Sequence, residues 1–394
     1  MQNDSVVILS ALRTPIGSFQ GQLSPLAAPK LAAAANRAVL EQTGIDPAQI
    51  QEVVYGCVLP AGVGQAPARQ GALAAGIPQS VGAVTINKMC GSGMKAVMFG
   101  HDMIASGGSD LILAGGMESM SNAPYLLPKA RAGYRMGHQE VLDHMFYDGL
   151  QNVYDGQMMG VFAEATAEKY GFTREEQDEF STESVHRALR ATSSGAFADE
   201  IVPVTVEHRR KSYVVEQDEE PGRCDIDGIP KLRAAFKRDG GTVTAASSSS
   251  ISDGAASVLL ASAAKAEALG IKPLAYIRGH STFAHAPEWF TTAPVGAIKN
   301  LQEKLGWSND DVDLYEINEA FAVVTMAAIK DLDLDPAKVN VNGGACALGH
   351  PIGATGARII TTLLHALKRS GGKRGIAALC IGGGEATAIA VELA

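Results

Sequence analysis

One plan is written twice in this chain: strand, glycine-rich loop, apolar helix, then a strand ending on consecutive glycines. Val84-Thr85-Ile86 leads into a loop around Cys90, an almost uncharged helical stretch from Met94 to Ala105, and the run from Asp110 to Gly116. Near the other end, Val339 to Asn342 reads as a strand and a loop around His350 follows. A helix from about Ala354 to Arg369 comes next, then a strand, Ile376 to Cys380, running into Gly382-Gly383-Gly384. A helix that is apolar nearly all round has to be buried. Strands alternating with such helices predict a sheet covered on its faces. Units at 84–119 and 339–386 therefore predict a duplicated α/β fold, each half a mixed sheet flanked by helices.

The chain of 394 residues is longer than one ordinary domain, and a hydrophobic share of 46% can fill more than one core. Val6 to Leu9, Val53 to Val58 and Val312 to Ile317 read as further strands, and Lys30 to Gln42 as an alanine-rich helix. Between the repeated units, residues 120–247 differ in character: rich in Met, Tyr, Arg, Glu and Gln, with proline and glycine breaks. The predicted organisation is a first half over 1–120, completed by about 248–270, an inserted lobe over 121–247, and a second half over 271–394. Within the lobe, Thr173 and Glu176 have the spacing of a capping box opening a helix that runs to Ala191. Arg209, Arg210, Lys211, Arg223, Lys231, Arg233, Lys237 and Arg238 concentrate positive charge there. That cluster reads as a solvated surface or as a landing site for a polyphosphate.

Global charge and targeting signals narrow the partners. A net charge of −9 argues against broad nucleic-acid binding. No apolar run nears the ~18 residues of a membrane span, and neither a signal peptide nor a peroxisomal address is read at the termini, so a cytoplasmic protein is expected. The five cysteines, at 57, 90, 224, 346 and 380, include no CxxC pair, so reduced thiols are expected, without a disulfide framework or zinc site.

Three side chains are framed by glycines: Cys90, His350 and Cys380. A helix starting just after Cys90 would place its sulfur at the positive end of the dipole and lower its pKa. His350 precedes Pro351, a residue suited to the first helical position, and an imidazole there is a candidate general base for a thiol. Cys380 ends an apolar strand, where α/β sites usually form. The glycines after it match neither dinucleotide nor P-loop spacing. Asn318-Glu319 follows a strand and reads either as an amide able to hold a water or as a helix cap. Singly, each has a plain alternative: an inert packing thiol, a capping histidine.

Jointly these segments resemble the thiolase family. Asn87-Lys88-Met89-Cys90-Gly91-Ser92-Gly93 resembles its nucleophile motif. Asn318-Glu319-Ala320-Phe321-Ala322, Gly343 to Arg358 and Cys380-Ile381-Gly382-Gly383-Gly384 resemble the other three, in the family's order. Gly115 to Ser121 and Gly241 to Ala245 match as well. The resemblance implies two mixed five-stranded sheets with helices in α-β-α-β-α layers plus an inserted loop lobe. It further implies a reversible Claisen condensation of two acetyl-CoA to acetoacetyl-CoA plus CoA, through an acetyl group on Cys90. His350 would take the Cys90 proton, Cys380 the α-proton, Asn318 would hold a water, and the N–H groups of Cys90 and Gly382 would form an oxyanion hole. Ser249, Met159, Ala320, Phe321, Ser247 and Arg223 would contact the CoA thioester. Coenzyme A thioesters would be substrates, with no cofactor and no metal.

The chain departs from the family pattern at two places. Ser247-Ser248-Ser249-Ser250 stands where Asn-Ala-Ser-Gly is usual, and Met158 stands where histidine is usual. Segment 121–145 resembles the loop that pairs dimers into tetramers, which implies a homotetramer. The alternatives are a degradative 3-ketoacyl-CoA thiolase, a decarboxylating ketosynthase, a non-catalytic lipid-binding relative and, as an outsider, a dinucleotide oxidoreductase. A second cysteine in the last motif argues against the ketosynthase, and three intact reactive groups argue against a carrier. Met159, projecting toward the acyl end, favours a short acyl group. Trp289 and Phe290 are further candidates for the wall of the acyl pocket.

Overall fold

A computed structural model describes residues 5–394. Nine strands form one continuous path: β1 (Val6–Arg13), β2 (Glu52–Gly56), β3 (Gly82–Ile86), β4 (Leu111–Ser119), β5 (Ser252–Ser262), β6 (Ala275–Ala284), β7 (Leu314–Ile317), β8 (Arg374–Ile381) and β9 (Glu385–Leu393). Their spatial order is β7-β8-β9-β6-β1-β5-β4-β2-β3, with a two-residue strand, Gly17–Ser18, also pairing β5. The two halves join where β1 and β6 run antiparallel, Val7 opposite Tyr276. Outward from that seam the order repeats: two antiparallel neighbours, β5 and β4 or β9 and β8, then a parallel strand, β2 or β7.

Helices make the layers. α1 (Ala28–Thr43) covers the outer face of the first half, and α5 (Ala293–Leu305) that of the second. Between the halves lie α2 (Ser92–Ala105) and α7 (Thr355–Ser370), packed on each other and on strands of both halves. Their apolar residues, among them Met94, Val97, Ile359 and Leu363, share one core with Ile112, Leu260, Leu379 and Ile389. Burial over most of their surfaces explains why both helices carry so few charges, although α2 keeps Phe99 and Asp102 exposed.

One expected strand is absent. Val339 makes only an isolated parallel bridge to Tyr315, because Asn340 turns into the left-handed region at φ 48°. The Asn340 amide then takes the place of a backbone ladder: it accepts from Ile317 N–H at 2.8 Å and donates to Ile317 O at 2.8 Å. Asparagine tolerates that conformation better than the valines beside it.

Residues 120–251 connect β4 to β5, and the chain then rejoins the first half's sheet. α3 (Met159–Tyr170) and α4 (Arg174–Ser193) belong to this lobe, and Thr173 and Glu176 form the expected capping box at the start of α4. The remaining helix that matters to the site is α6 (Ala322–Leu332), capped by Phe321 rather than by Asn318 or Glu319. Pro351 is not a first helical residue either: α7 starts at Thr355, after a turn in which Pro351 O accepts the Ala354 and Thr355 N–H groups.

Candidate active site

Cys90 lies on the loop between β3 and α2. The loop is tight: Met89 sits at φ 48°, its N–H donates to Asn87 Oδ1 at 2.9 Å, and Ser92 Oγ accepts the Lys88 N–H at 2.8 Å. Left-handed backbone at a residue with a side chain costs of order 1 kcal/mol and persists only where its surroundings enforce it. Gly91 and Gly93 let the second half approach. A Cβ on Gly93 would lie 2.9 Å from Ala357 N and 3.0 Å from Gly353 O. Across the same seam, Lys88 pairs with Glu385.

His350 comes from the second half and is buried. Its N–H donates to Ser250 O at 3.0 Å, which ties it to the lobe's return strand. The ring Nδ1 lies 2.6 Å from Thr355 Oγ1, and that hydroxyl is 2.9 Å from Pro351 O. Because a carbonyl only accepts, satisfying both contacts makes Thr355 donate to Pro351 and accept from Nδ1–H. Nε2 is then left with its lone pair, 3.5 Å from Asn318 Nδ2. Burial, reinforced by the Arg358 charge, pushes the imidazole pKa down to about 3, so the ring is neutral. A neutral ring with a free Nε2 is the form a proton acceptor needs.

The two thiols differ from the simple expectation. Burial raises Cys90 to about 11, although the N–H groups of Gly382 and of Cys90 itself hydrogen-bond its sulfur and pull the other way. The start of α2 therefore does not leave a standing thiolate: desolvation outweighs the dipole. Cys380, at the buried end of β8, is pushed well above the ordinary thiol value by burial and then by the nearby Cys90. Both cysteines therefore hold their protons.

Cys90 and His350 face a cavity of about 210 Å³ lined also by Gly382, Met158, Met159, Phe236, Phe290, Ala320, Phe321 and Ser248 to Ile251, while Cys380 is fully buried behind that wall, packed with Phe290 and Phe321. Its polar groups are few and convergent, the usual character of a small-molecule site. Asn318 lies beside His350, and its Oδ1 is buried without a partner.

Comparison with known proteins decides the family. The N-terminal domain of thiolase matches residues 6–264, and the thiolase C-terminal domain matches residues 271–393. The chain belongs to the thiolase family. It is 52% identical to acetyl-CoA acetyltransferase 2 of Arabidopsis thaliana, over 98% of this chain and 97% of that protein. It is 49% identical to an acetyl-CoA acetyltransferase of Pseudomonas aeruginosa, over 98% of both. Among solved structures, the Acat5 thiolase from Ascaris suum in complex with coenzyme A superposes with a TM-score of 0.94 at 43% identity, covering 99% of this chain and all of that one.

In this thiolase-fold chain, Cys90, His350, Cys380, Asn318 and Gly382 meet at the seam between the halves. Met159, Ser249, Ala320 and Phe321 line the cavity, and Met159 Sδ would lie 3.7 Å from a Cβ on Gly382. Two expected contacts do not meet there. Ser247 is fully buried with its hydroxyl accepting the Thr244 N–H at 2.8 Å, and its neighbours Ser248, Ser249 and Ser250 face the cavity instead. Arg223 borders a separate open groove, paired with Glu219 at 3.0 Å. Phe290 lines the cavity and Trp289 does not.

Two buried carboxylates, Glu118 and Glu319, have a bracing role that the sequence did not reveal. Glu118 accepts N–H groups from Val58 at 2.9 Å, Leu59 at 3.1 Å and Gly353 at 2.9 Å, so it fastens the His350 loop to the first half. Burial raises it to about 7 against those three bonds. Glu319 accepts from Ser184 Oγ at 2.7 Å, Asn340 Nδ2 at 2.8 Å and Cys346 N–H at 3.2 Å, fixing the loop that carries Asn318. A carboxylate letter following or ending an apolar strand was the available signal for both.

Proposed function

We propose that this thiolase-family chain is an acetyl-CoA C-acetyltransferase, working through an acetyl group on Cys90. The observation that carries the reading is the convergence of a thiol, a neutral imidazole with a free Nε2 and two sulfur-directed N–H groups on one apolar cavity, with a second thiol beside the first. In the first step Cys90 Sγ attacks the thioester carbon while its proton passes to His350 Nε2. The Cys90 and Gly382 N–H groups take the developing oxyanion, each such donor worth about 3 kcal/mol. The CoA sulfur leaves with the proton of Cys380. In the second step the Cys380 thiolate takes the α-proton of another acetyl-CoA. A water held by Asn318, together with protonated His350, holds the enolate oxygen. The enolate carbon attacks the acetyl group, and Cys90 departs as a thiolate that recovers the His350 proton.

The neutral ground state suits this cycle. Charges appear only in pairs, one thiolate or enolate opposite one imidazolium, in a site where unpaired charge is expensive. The relatives' names support acetyl-CoA as the substrate, and the Ascaris structure's coenzyme A supports a CoA ester as the ligand. Met159 beside Gly382 favours a short acyl group over the long chains of a degradative 3-ketoacyl-CoA thiolase. Ser249, Met159, Ala320 and Phe321 would contact the thioester. Lys231, Arg233 and Arg238 form no ion pair among the described residues and flank Phe236 of the cavity wall, so they would receive the phosphates. Coenzyme A esters are the substrates, without metal or cofactor in the reaction. Turnover of acetoacetyl-CoA should exceed that of a long 3-ketoacyl-CoA, and the opposite preference would overturn the short-chain reading.

A homotetramer built as a dimer of dimers fits two surfaces. The outer edge of β3 is unpaired among the described residues and carries exposed Val84. The loop over 121–145 exposes Tyr125, Leu127, Met136 and Val141. Light scattering that gives a monomer would contradict this assembly. No helix among the described residues is long and apolar enough to cross a membrane. The five unpaired cysteines support the cytoplasm as the compartment.

A further inference from the structure

A second constellation lies away from the acyl cavity, on the same seam between the halves. His101 and Asp102 are adjacent on α2, and His280 projects from β6 of the second half. His101 Nδ1 lies 3.0 Å and His280 Nε2 lies 2.8 Å from the same oxygen, Asp102 Oδ1. All three donor atoms fall within 4.8 Å of one another. The rings meet edge to face with centroids 5.0 Å apart, so both nitrogens point at one spot from different directions. We propose that His101, Asp102 and His280 form a binding site for a divalent transition-metal ion, clamping α2 of the first half to β6 of the second.

The donor set fixes the class of ion. Two imidazoles and one carboxylate suit zinc, cobalt, nickel or copper, and suit magnesium or calcium poorly. Both rings are mostly buried, at 19% and 14% side-chain exposure, so they are pre-positioned, whereas Asp102 at 54% can swing its carboxylate onto the ion. Neutral imidazole is the ligand form. On binding, each ring shifts its proton to the nitrogen facing away from the ion. Neither of those nitrogens is buried without a partner. Lys304 is the cation near His280, and its ammonium donates to the backbone carbonyl oxygen of His280 at 3.4 Å. Water would complete the coordination, because no fourth protein ligand joins the group among the described residues. Such an ion stabilises the folded protein by mass action and takes no part in acyl transfer.

Cobalt(II) and nickel(II) titrations of the full-length protein test the site, read by visible spectroscopy and by thermal unfolding. The intact chain should bind one ion per chain with nitrogen and oxygen ligation, and its melting temperature should rise. His280→Gln and His101→Gln should each weaken binding by more than the ~10–100-fold that losing a mere supporting group costs. Both variants should keep metal-free thiolase turnover. Thiolate charge-transfer absorption would place the ion on a cysteine and overturn the proposal. So would equal binding by the variants, or no binding by the intact chain, which would leave a hydrogen-bonded triad only.

Discussion

In the second half β8 turns through Gly382, Gly383 and Gly384 directly into β9, whereas in the first half the matching strands β4 and β5 are separated by residues 120–251. The short turn needs left-handed backbone at Gly383 and Gly384, φ 96° and 88°, and leaves the Gly382 N–H aimed at Cys90. The long connection instead wraps back over the seam and supplies much of the cavity wall, from Phe146 to Ile251. The same junction in a duplicated fold has thus become a donor in one half and a container in the other. The proposed roles divide likewise: the first half would bring the nucleophile, the second the base, the second thiol and Asn318. Neither half is a site alone.

If the halves must touch backbone to backbone, the glycines at the seam are the place to break them apart. A Cβ on Gly116 of β4 would lie 2.1 Å from Gly353 O, a backbone atom that cannot swing aside. Gly116→Ala should cost ~3 kcal/mol or more in denaturant unfolding, the upper end for overpacking. Unchanged stability would mean that the halves do not meet this closely.

Asn318→Ala keeps the seam and removes only the second half's amide. Turnover should fall by ~10²-fold, the scale of losing one oxyanion donor, while acetylation of Cys90 in a single turnover persists. Loss of acetylation together with condensation would show that the two steps do not divide between the halves as described.

The mildest probe concerns the carboxylate that joins them. Glu118 is raised from 4.5 to about 7, so the stability it confers is complete below 4.5 and is lost as pH rises through about 7. Against Glu118→Gln, the wild type should lose ~1–3 kcal/mol of unfolding free energy over that window. Parallel pH profiles for the two proteins would remove Glu118 from its place at the seam.

The repeat, the buried helices and the glycine-framed groups were legible because each leaves a local mark: apolar periodicity, a strand end, a glycine where backbones approach. What was not legible depends on the partner each group finds once the chain is folded. Val339 to Asn342 has strand letters, but Asn340 uses its amide to replace the ladder beside Ile317. The helix after Cys90 starts as expected, at Ser92, yet burial by the second half reverses the expected pKa shift. Ser247 matched the family by position, and only its hydrogen bond to Thr244 shows that it faces inward. Glu118 sits in a segment read for its glycines, and its partners lie 60 and 235 positions away.

Mass spectrometry of the protein mixed with acetyl-CoA tests the central claim most directly. The account predicts one acetyl adduct, mapped to Cys90, absent from Cys90→Ala, and retained by a Cys380→Ser variant that forms no acetoacetyl-CoA. An adduct on another residue, or normal condensation by either variant, would contradict it.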